Sequence, residues 1–493
     1  MATVLQAVAT TPQLRPARRL GPWRLPVTNP ALSFVAAAVG IVLIVGAGIW
    51  LNQPRNFVVG PVSSPSPSPI ATPAASEAPT PAPTPSPPAA TPSPAVSSAA
   101  PTPTLSPSPT PSPTPAPTAT PSQLALQVSG NAATVTAGDS HTCALTRAGA
   151  VKCWGRNEFG QLGDGSTTDR NGPVNVTGLA SGVAAITTGG NHSCALMKSG
   201  GVKCWGDNAN GVLGNGTTVD SHVPIDVSGL TSGVQAIDAG SHHSCALMVA
   251  GGVKCWGYNL NGQLGDGSRE VLSRIPVDVS GLASGVVAIS AGGGHTLAMM
   301  TDGSVKAWGC NCLGQVGDGS TVDRDLPVDV KGLTSSASAI TAGDGHSCAL
   351  TVEGGVLCWG DSGGKLGNAT INANFSVTPV TVDGLATGAI AVAAGGIGTC
   401  ALTSAGGVLC WGDNTYGGIG NGTFTSSNSP ADVAGLQSGI ATIALGQHHV
   451  CAVTTGGGIL CWGDNQYGQL GNGTNSGGGP VNGVNVPVSV LKL

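Results

Sequence analysis

The sequence predicts an all-β, seven-bladed β-propeller, preceded by one transmembrane helix and a Pro-rich extended linker. Three observations predict it. Trp recurs at 154, 205, 256, 308, 359, 411 and 462, at spacings of 51 or 52 residues. Each of these Trp sits in the same succession of short apolar runs and Gly/Asn-rich turns. Ahead of the repeats stand an uncharged apolar stretch and a long tract of Pro, Ser, Thr and Ala.

Residues 1–30 read as a short cytoplasmic segment carrying Arg15, Arg18, Arg19 and Arg24. Residues 31–51, ALSFVAAAVGIVLIVGAGIWL, hold no charge. As a helix rising about 1.5 Å per residue they span the roughly 30 Å of a hydrocarbon core. Trp50 stands at one end, where interfacial aromatics are favoured. Four Arg precede the stretch and only Arg55 follows closely. That bias orients the N-terminus to the cytoplasm and the rest of the chain outside. The run is longer than the roughly 7–15 residues of a signal-peptide core, and no A-x-A site follows it, so a retained anchor is expected over a cleaved leader.

Residues 52–125 form the linker. Within 61–121 lie 22 of the chain's 36 Pro and a single charge, Glu77. Pro fixes φ and removes a donor, so neither helix nor sheet ladder forms there. An extended polyproline-II spacer is expected.

The propeller is assigned to residues 132–493, with units starting near 132, 183, 234, 286, 337, 389 and 440. In the second unit VAAIT (183–187), HSCALM (192–197), VKCWG (202–206) and VPIDV (223–227) are four apolar runs bounded by Gly, Asn and Lys-Ser-Gly-Gly turns. Runs of this length with such punctuation read as strands, and no helical period survives beyond residue 125. Four short strands per unit make a propeller blade. An open stack would need atypical capping repeats. Here the first unit opens in phase at AATVTAG (132–138) and the last closes in phase at PVSV (487–490), which favours a closed ring. Whether PVSV completes the first blade by exchange between the termini is left open by sequence.

The order H-x-C-A-L, then G-x-V-x-C-W-G-x-N-x-x-G-Q-L-G, is best preserved at Trp154–Gly163, Trp256–Gly265 and Trp462–Gly471. Seven copies of it resemble the regulator of chromosome condensation repeat family. The resemblance implies a seven-bladed propeller. It leaves function open, because that family includes small-GTPase exchange factors, chromatin-associated proteins and an extracellular β-lactamase inhibitor.

Twelve of the fourteen Cys fall into pairs ten residues apart. They are Cys143 with Cys153, Cys194 with Cys204, Cys245 with Cys255, Cys348 with Cys358, Cys400 with Cys410 and Cys451 with Cys461. Each pair spans one predicted hairpin, where opposed Cα atoms come within disulfide reach. In the fourth unit Leu297 and Ala307 replace both partners together, as expected of bonded residues. Disulfides require an oxidising compartment, which agrees with an exported propeller. Cys310 and Cys312 remain, and a local bridge between them is expected. No cofactor or metal is expected. His141, His192, His243, His295, His346 and His449 precede the Cys positions by two residues, but a unit offers no short C-x-x-C clip. Structural roles are therefore assigned to these His, core packing to the repeated Trp, and turns to the D-G-S-T and N-G-T segments.

Beyond residue 125, 14 Lys plus Arg oppose 23 Asp plus Glu, a net charge of about −9. No basic face suits nucleic acid. No nucleophile, base and orienter set emerges. Candidate binding residues are those that break the repeat: Tyr258, Arg269, Arg274, Phe375 and Phe424. The function expected is an anchored, monomeric extracellular module that binds a protein or cell-wall partner. The rivals are a lyase or hydrolase acting at the channel mouth and a GTPase exchange factor, which the topology disfavours.

Overall fold

A computed structural model describes residues 130–371, 373–476 and 483–493. The segments expected to be cytoplasmic (1–30), membrane-spanning (31–51) and linker (52–125) lie outside the described residues. Among those described are 28 strands and no helix. They form seven four-stranded antiparallel sheets, each in sequence order. The first blade comprises β1 (Ala132–Ala137), β2 (His141–Thr146), β3 (Val151–Gly155) and β4 (Arg170–Asn175). The other blades begin at Val183, Val234, Val286, Ala337, Ala389 and Ile440. First strands of successive blades touch one another, so they line the central channel. Fourth strands are half-buried at the periphery, as in β4.

The last blade comprises β25 (Ile440–Leu445), β26 (His449–Thr454), β27 (Ile459–Asp464) and β28 (Gly483–Ser489). Because β28 pairs with β27, the termini do not exchange strands. The ring closes instead by packing β1 against β25 and β26. Backbone bonds add to the seam, Ala132 N–H to Gly457 O at 2.9 Å and Gly473 N–H to Asn171 O at 2.8 Å.

Each seam has its own core. Cys143, Leu145, Val151 and Cys153 of the first blade pack with Val183, Ile186, Ala195 and Trp205 of the second. All seven repeated Trp are fully buried. Trp205 Nε1–H donates to Gln161 O at 2.9 Å, and Trp154 donates to Gln469 O across the closing seam at 2.9 Å. The repeated Gly permits this approach: a Cβ on Gly163, at φ 68°, would stand 2.7 Å from the Trp205 Nε1.

The six His complete a polar relay at the same place. Ser193 Oγ donates to Gln161 O at 3.0 Å, so it accepts from His141 Nε2 at 2.9 Å. The same link joins His192 to Ser244, His243 to Thr296, His295 to Ser347, His346 to Thr399 and His449 to Thr142. At the remaining seam Gly398 replaces the His and Val450, buried and apolar, replaces the hydroxyl. Donor and acceptor are lost together because either alone would be buried and unsatisfied. Changing Ser193→Ala is therefore expected to cost about 1–3 kcal/mol by stranding the His141 N–H. Urea denaturation at neutral pH measures it, and a loss within a few tenths of a kcal/mol would show that the relay is not structural.

The six ten-residue Cys pairs are bonded, as the spacing predicts. Cys143 is joined to Cys153, Cys194 to Cys204 and Cys245 to Cys255. Cys348 is joined to Cys358, Cys400 to Cys410 and Cys451 to Cys461. In every pair the partners stand directly opposite across the second and third strands, as Cys194 does to Cys204 and Cys451 to Cys461. Their Cα atoms lie 4.1 Å apart in all six. In the fourth blade Leu297 and Ala307 occupy the same opposed positions and are fully buried. The expected bridge between Cys310 and Cys312 is not formed; both are free and their Sγ atoms lie 3.6 Å apart. The loop holding them keeps the backbone of its counterparts. Cys310 N–H is held by Gly294 O, and the intervening Asn311 is pinned by Ser320 O and Val322 O.

Candidate binding face

Strands alternate in direction, so the link from first to second strand and the long link from third to fourth strand emerge on one face. The long links are built alike. In the first blade Asn157, fully buried, donates from Nδ2 to Ser166 O at 3.0 Å and Thr168 O at 3.1 Å. Its Oδ1 accepts from Leu162 N–H at 2.9 Å. Asn208, Asn414 and Asn465 hold their loops by the same anchors. The Asn of the W-G-x-N motif is thus loop scaffold. The D-G-S-T segment is a turn closed on itself: Asp164 Oδ1 accepts from Ser166 N–H at 2.9 Å, and Arg170 holds Asp164 Oδ2 at 2.9 Å. Burial opposes ionisation of Asp164, yet Ser166 and Arg170 together bring its carboxyl below the usual range.

Rigid loops display whatever stands at their outward positions, and these positions are not equal around the ring. Phe159, Tyr416 and Tyr467 occupy the residue before the loop Gly on the first, sixth and seventh blades, which are contiguous through the closing seam. The Arg156 guanidinium lies 5.8 Å from the Phe159 ring centroid and 5.1 Å from that of Tyr467. Glu158 pairs with the same guanidinium. Tyr416 lies against His448, ring centroids 4.7 Å apart. Burial pushes the His448 imidazole down to about 4, so it is neutral at ordinary pH. Between the seventh and first blades opens a groove of about 650 Å3 lined by Arg156, Glu158, Thr167, Thr168, Asp169 and Tyr467. Large half-buried aromatics around an Arg are the composition of protein-binding anchors.

The five residues singled out from sequence are distributed over the end of a third strand, the long links and the outer strands. Tyr258 is half-buried beside His242, ring centroids 6.4 Å apart. Arg269 reaches the fourth blade, with its Nε 3.6 Å from Asp325 and its guanidinium donating to Asp323 O. Arg274 is exposed on its fourth strand. Phe375 on the fifth blade is 37% exposed and Phe424 on the sixth 42%. The fourth blade separates the third-blade group from Phe375. Sequence reading missed Arg156, Phe159, Tyr416 and Tyr467. The available signal was Arg156 at the position that holds Asp in four other units, and aromatics at one repeat position in three units.

Comparison with known proteins agrees with the repeat pattern. The RCC1-like domain matches residues 110–397, and regulator of chromosome condensation (RCC1) repeats match 405–453, 389–417 and 440–469. The ultraviolet-B receptor UVR8 of Arabidopsis thaliana is 32% identical over 347 residues, covering 69% of this chain and 78% of the relative. The human E3 ubiquitin-protein ligase HERC2 is 32% identical over 350 residues, covering 68% of this chain but only 7% of that protein. Among solved structures, yeast RCC1 (Prp20) bound to Kap60 superposes with a TM-score of 0.60 at 20% identity, covering 75% of this chain and 87% of that one. Human WBSCR16 superposes with a TM-score of 0.59 at 22% identity, covering 66% and 86%. These two establish likeness of fold alone. Seven in-register blades, the recurrent motif and the length of the match together make this chain a member of the RCC1 repeat family.

Proposed function

We propose that this protein is a membrane-anchored propeller displayed outside the cell, and that it binds a protein or cell-surface partner through the face carrying the long loops. The observation that carries the reading is the aromatic arc of Tyr416, Tyr467 and Phe159 around Arg156, on loops that the buried Asn residues hold rigid. Preformed aromatic anchors lose little freedom on binding, so their contact area is retained as affinity. Six disulfides fit a domain that works in an oxidising compartment. The apolar stretch 31–51 with Arg before it supports the anchor and its orientation. The yeast relative was solved bound to Kap60, a protein partner, which makes protein binding a natural use of the fold.

The test is proximity cross-linking in cells on intact chains, comparing wild type with a Tyr416→Ala, Tyr467→Ala, Arg156→Glu variant and with Glu353→Gln on the opposite face. The triple variant is expected to lose its specific cross-linked species at least about tenfold, as anchors worth more than about 1 kcal/mol each require. Glu353→Gln is expected to keep them. Equal cross-linking by all three proteins would refute this face as the binding site.

A further inference from the structure

The links from first to second strand meet around the channel mouth, and their backbones form a girdle. Asp139 N–H donates to Gly190 O at 3.3 Å, Ser241 to Gly292 O at 3.3 Å, and Gly293 to Gly343 O at 3.1 Å. Asp344 donates to Gly395 O at 3.5 Å, Gly396 to Gly446 O at 3.2 Å, and Gln447 to Gly138 O at 3.3 Å, which closes the ring. A girdle with such a hydrogen bond at six of its seven steps is narrow. Any side chain at its equivalent positions stands close to the others.

Those positions alternate in kind. Asp139, Ser241 and Asp344 occupy blades one, three and five, while Gly190, Gly293 and Gly396 occupy two, four and six. Asp139, Ser241 and Asp344, with Gln447 of the seventh blade, are thus the side chains at these positions of the mouth, the other three positions being glycine. Both carboxyl oxygens of Asp344 are out of solvent, and neither has a hydrogen-bond partner. Ser241 Oγ is in the same condition, as is Asn191 Oδ1 on the second blade's link. The charge of Lys365 favours ionisation of Asp344, but Lys365 makes no hydrogen bond to it. Lys365, which replaces the usual Gln of its loop, is engaged by Asp361 at 2.5 Å.

A buried carboxylate with no donor is costly, and native proteins rarely keep one without a use. Burial, reinforced by the facing charge of Asp139, raises the Asp344 carboxyl well above its ordinary range. Two carboxylates brought this near each other call for a shared positive charge.

We propose that the mouth of the central channel is a binding site for one hard divalent cation of the calcium class, held by Asp344 and Asp139 with Ser241 Oγ and Asn191 Oδ1. The donor set is all oxygen and carries two negative charges, which matches a divalent ion. Calcium accepts such mixed carboxylate, hydroxyl and amide shells, with water completing about six to eight ligands. The D-G-S-T turns, which resemble calcium loops in sequence, are closed on themselves and offer no such vacancy. The ion would tie four blades at the axis and stiffen the ring from inside.

The test uses the full-length chain, stripped with chelator, and calcium chloride or magnesium chloride as the probe. Calorimetric titration is expected to show one calcium per chain, with a dissociation constant of about 1 mM or tighter, as for extracellular modules. Calcium is also expected to raise the thermal midpoint. Asp344→Asn keeps the shape and removes the charge. It is expected to weaken binding at least about tenfold, and to be as stable as wild type or more so in chelator, because it relieves an uncompensated buried charge. Asp139→Asn gives a second reading of the same site should Asp344→Asn not accumulate, and Glu353→Gln is the unaffected control. No saturable binding of either divalent ion up to about ten times that concentration overturns the proposal. So does binding that survives both Asp substitutions, or an Asp344→Asn protein less stable than wild type in chelator.

Discussion

Acidification from about pH 7 to about pH 5 will lower the urea midpoint of the propeller. Burial drives His141, His192, His243, His295 and His449 down to about 3, against an ordinary value of 6.5, and holds His346 well below it too. Each is neutral in the fold and donates from Nε2 to a hydroxyl on the next blade. In the unfolded chain each takes up a proton near its ordinary value. The stability that rests on the neutral form is complete above 6.5 and is lost as pH falls towards 3. Per His the loss is about 1.4 kcal/mol for each pH unit below 6.5.

Carboxyls raised by burial act in the opposite sense. Asp238 is raised to about 7 by burial, despite donors from Ala291, Ala239 and Thr187, and Asp344 is raised as well. Proton uptake by folded Asp238 adds stability as pH falls from about 7 towards 3.8, and Asp344 acts in the same direction. His242 and His448 are lowered as well, and Asp207 and Asp464 raised, so eight His stand against four Asp, protons are taken up in net on unfolding, and stability falls through this window. Each net proton is worth about 1.4 kcal/mol per pH unit, a sizeable share of a domain stability of about 5–15 kcal/mol. Urea midpoints at pH 7, 6 and 5 measure the slope. An unchanged midpoint across that range would show that the His are not held neutral.

Reduction gives the second large effect. Each hairpin bridge closes a loop of about eleven residues, worth at most about 3 kcal/mol in the chain-entropy model. Six together are on the order of 16 kcal/mol, comparable to the whole stability of a domain. A chain that has been denatured, reduced and alkylated is therefore expected not to refold. All seven repeated Trp are fully buried in the fold, so their emission reports the outcome. It should stay red-shifted after the denaturant is removed, while the unreduced chain recovers. In the native state the bonded Cys are at most 1% exposed, so reductant alone should act slowly. Cys312, exposed, should alkylate first, ahead of Cys310, whose thiol burial pushes up to about 12. Recovery of native emission by the alkylated chain would refute the bridges' role.

Sequence by itself determined what is local or periodic. The 51- and 52-residue spacing of Trp set the number of blades, because each blade is one contiguous unit whose strands pair with their neighbours in the chain. The ten-residue spacing of pairs such as Cys245 with Cys255 or Cys400 with Cys410 set the bridges for the same reason: hairpin register follows from turn length. The joint replacement at Leu297 and Ala307 was visible because both partners lie in one unit. The expected bridge between Cys310 and Cys312 is absent because proximity in sequence does not fix the side-chain torsions a disulfide needs, and the two Sγ atoms stand 3.6 Å apart.

Tertiary structure decided everything that joins one blade to another. The bond from His141 to Ser193 links residues 52 apart, and that from Thr142 to His449 links residues 307 apart. The paired loss at Gly398 and Val450 makes sense only once that relay is known. Arg156 and Tyr467 lie at opposite ends of the described chain and meet because the ring closes between them. The girdle that gathers Asp139, Ser241 and Asp344 is likewise a property of closure. A periodic pattern records what each unit repeats, whereas a site on the axis or a seam is made of the few residues in which the units differ. Only the closed ring brings those residues within reach of one another.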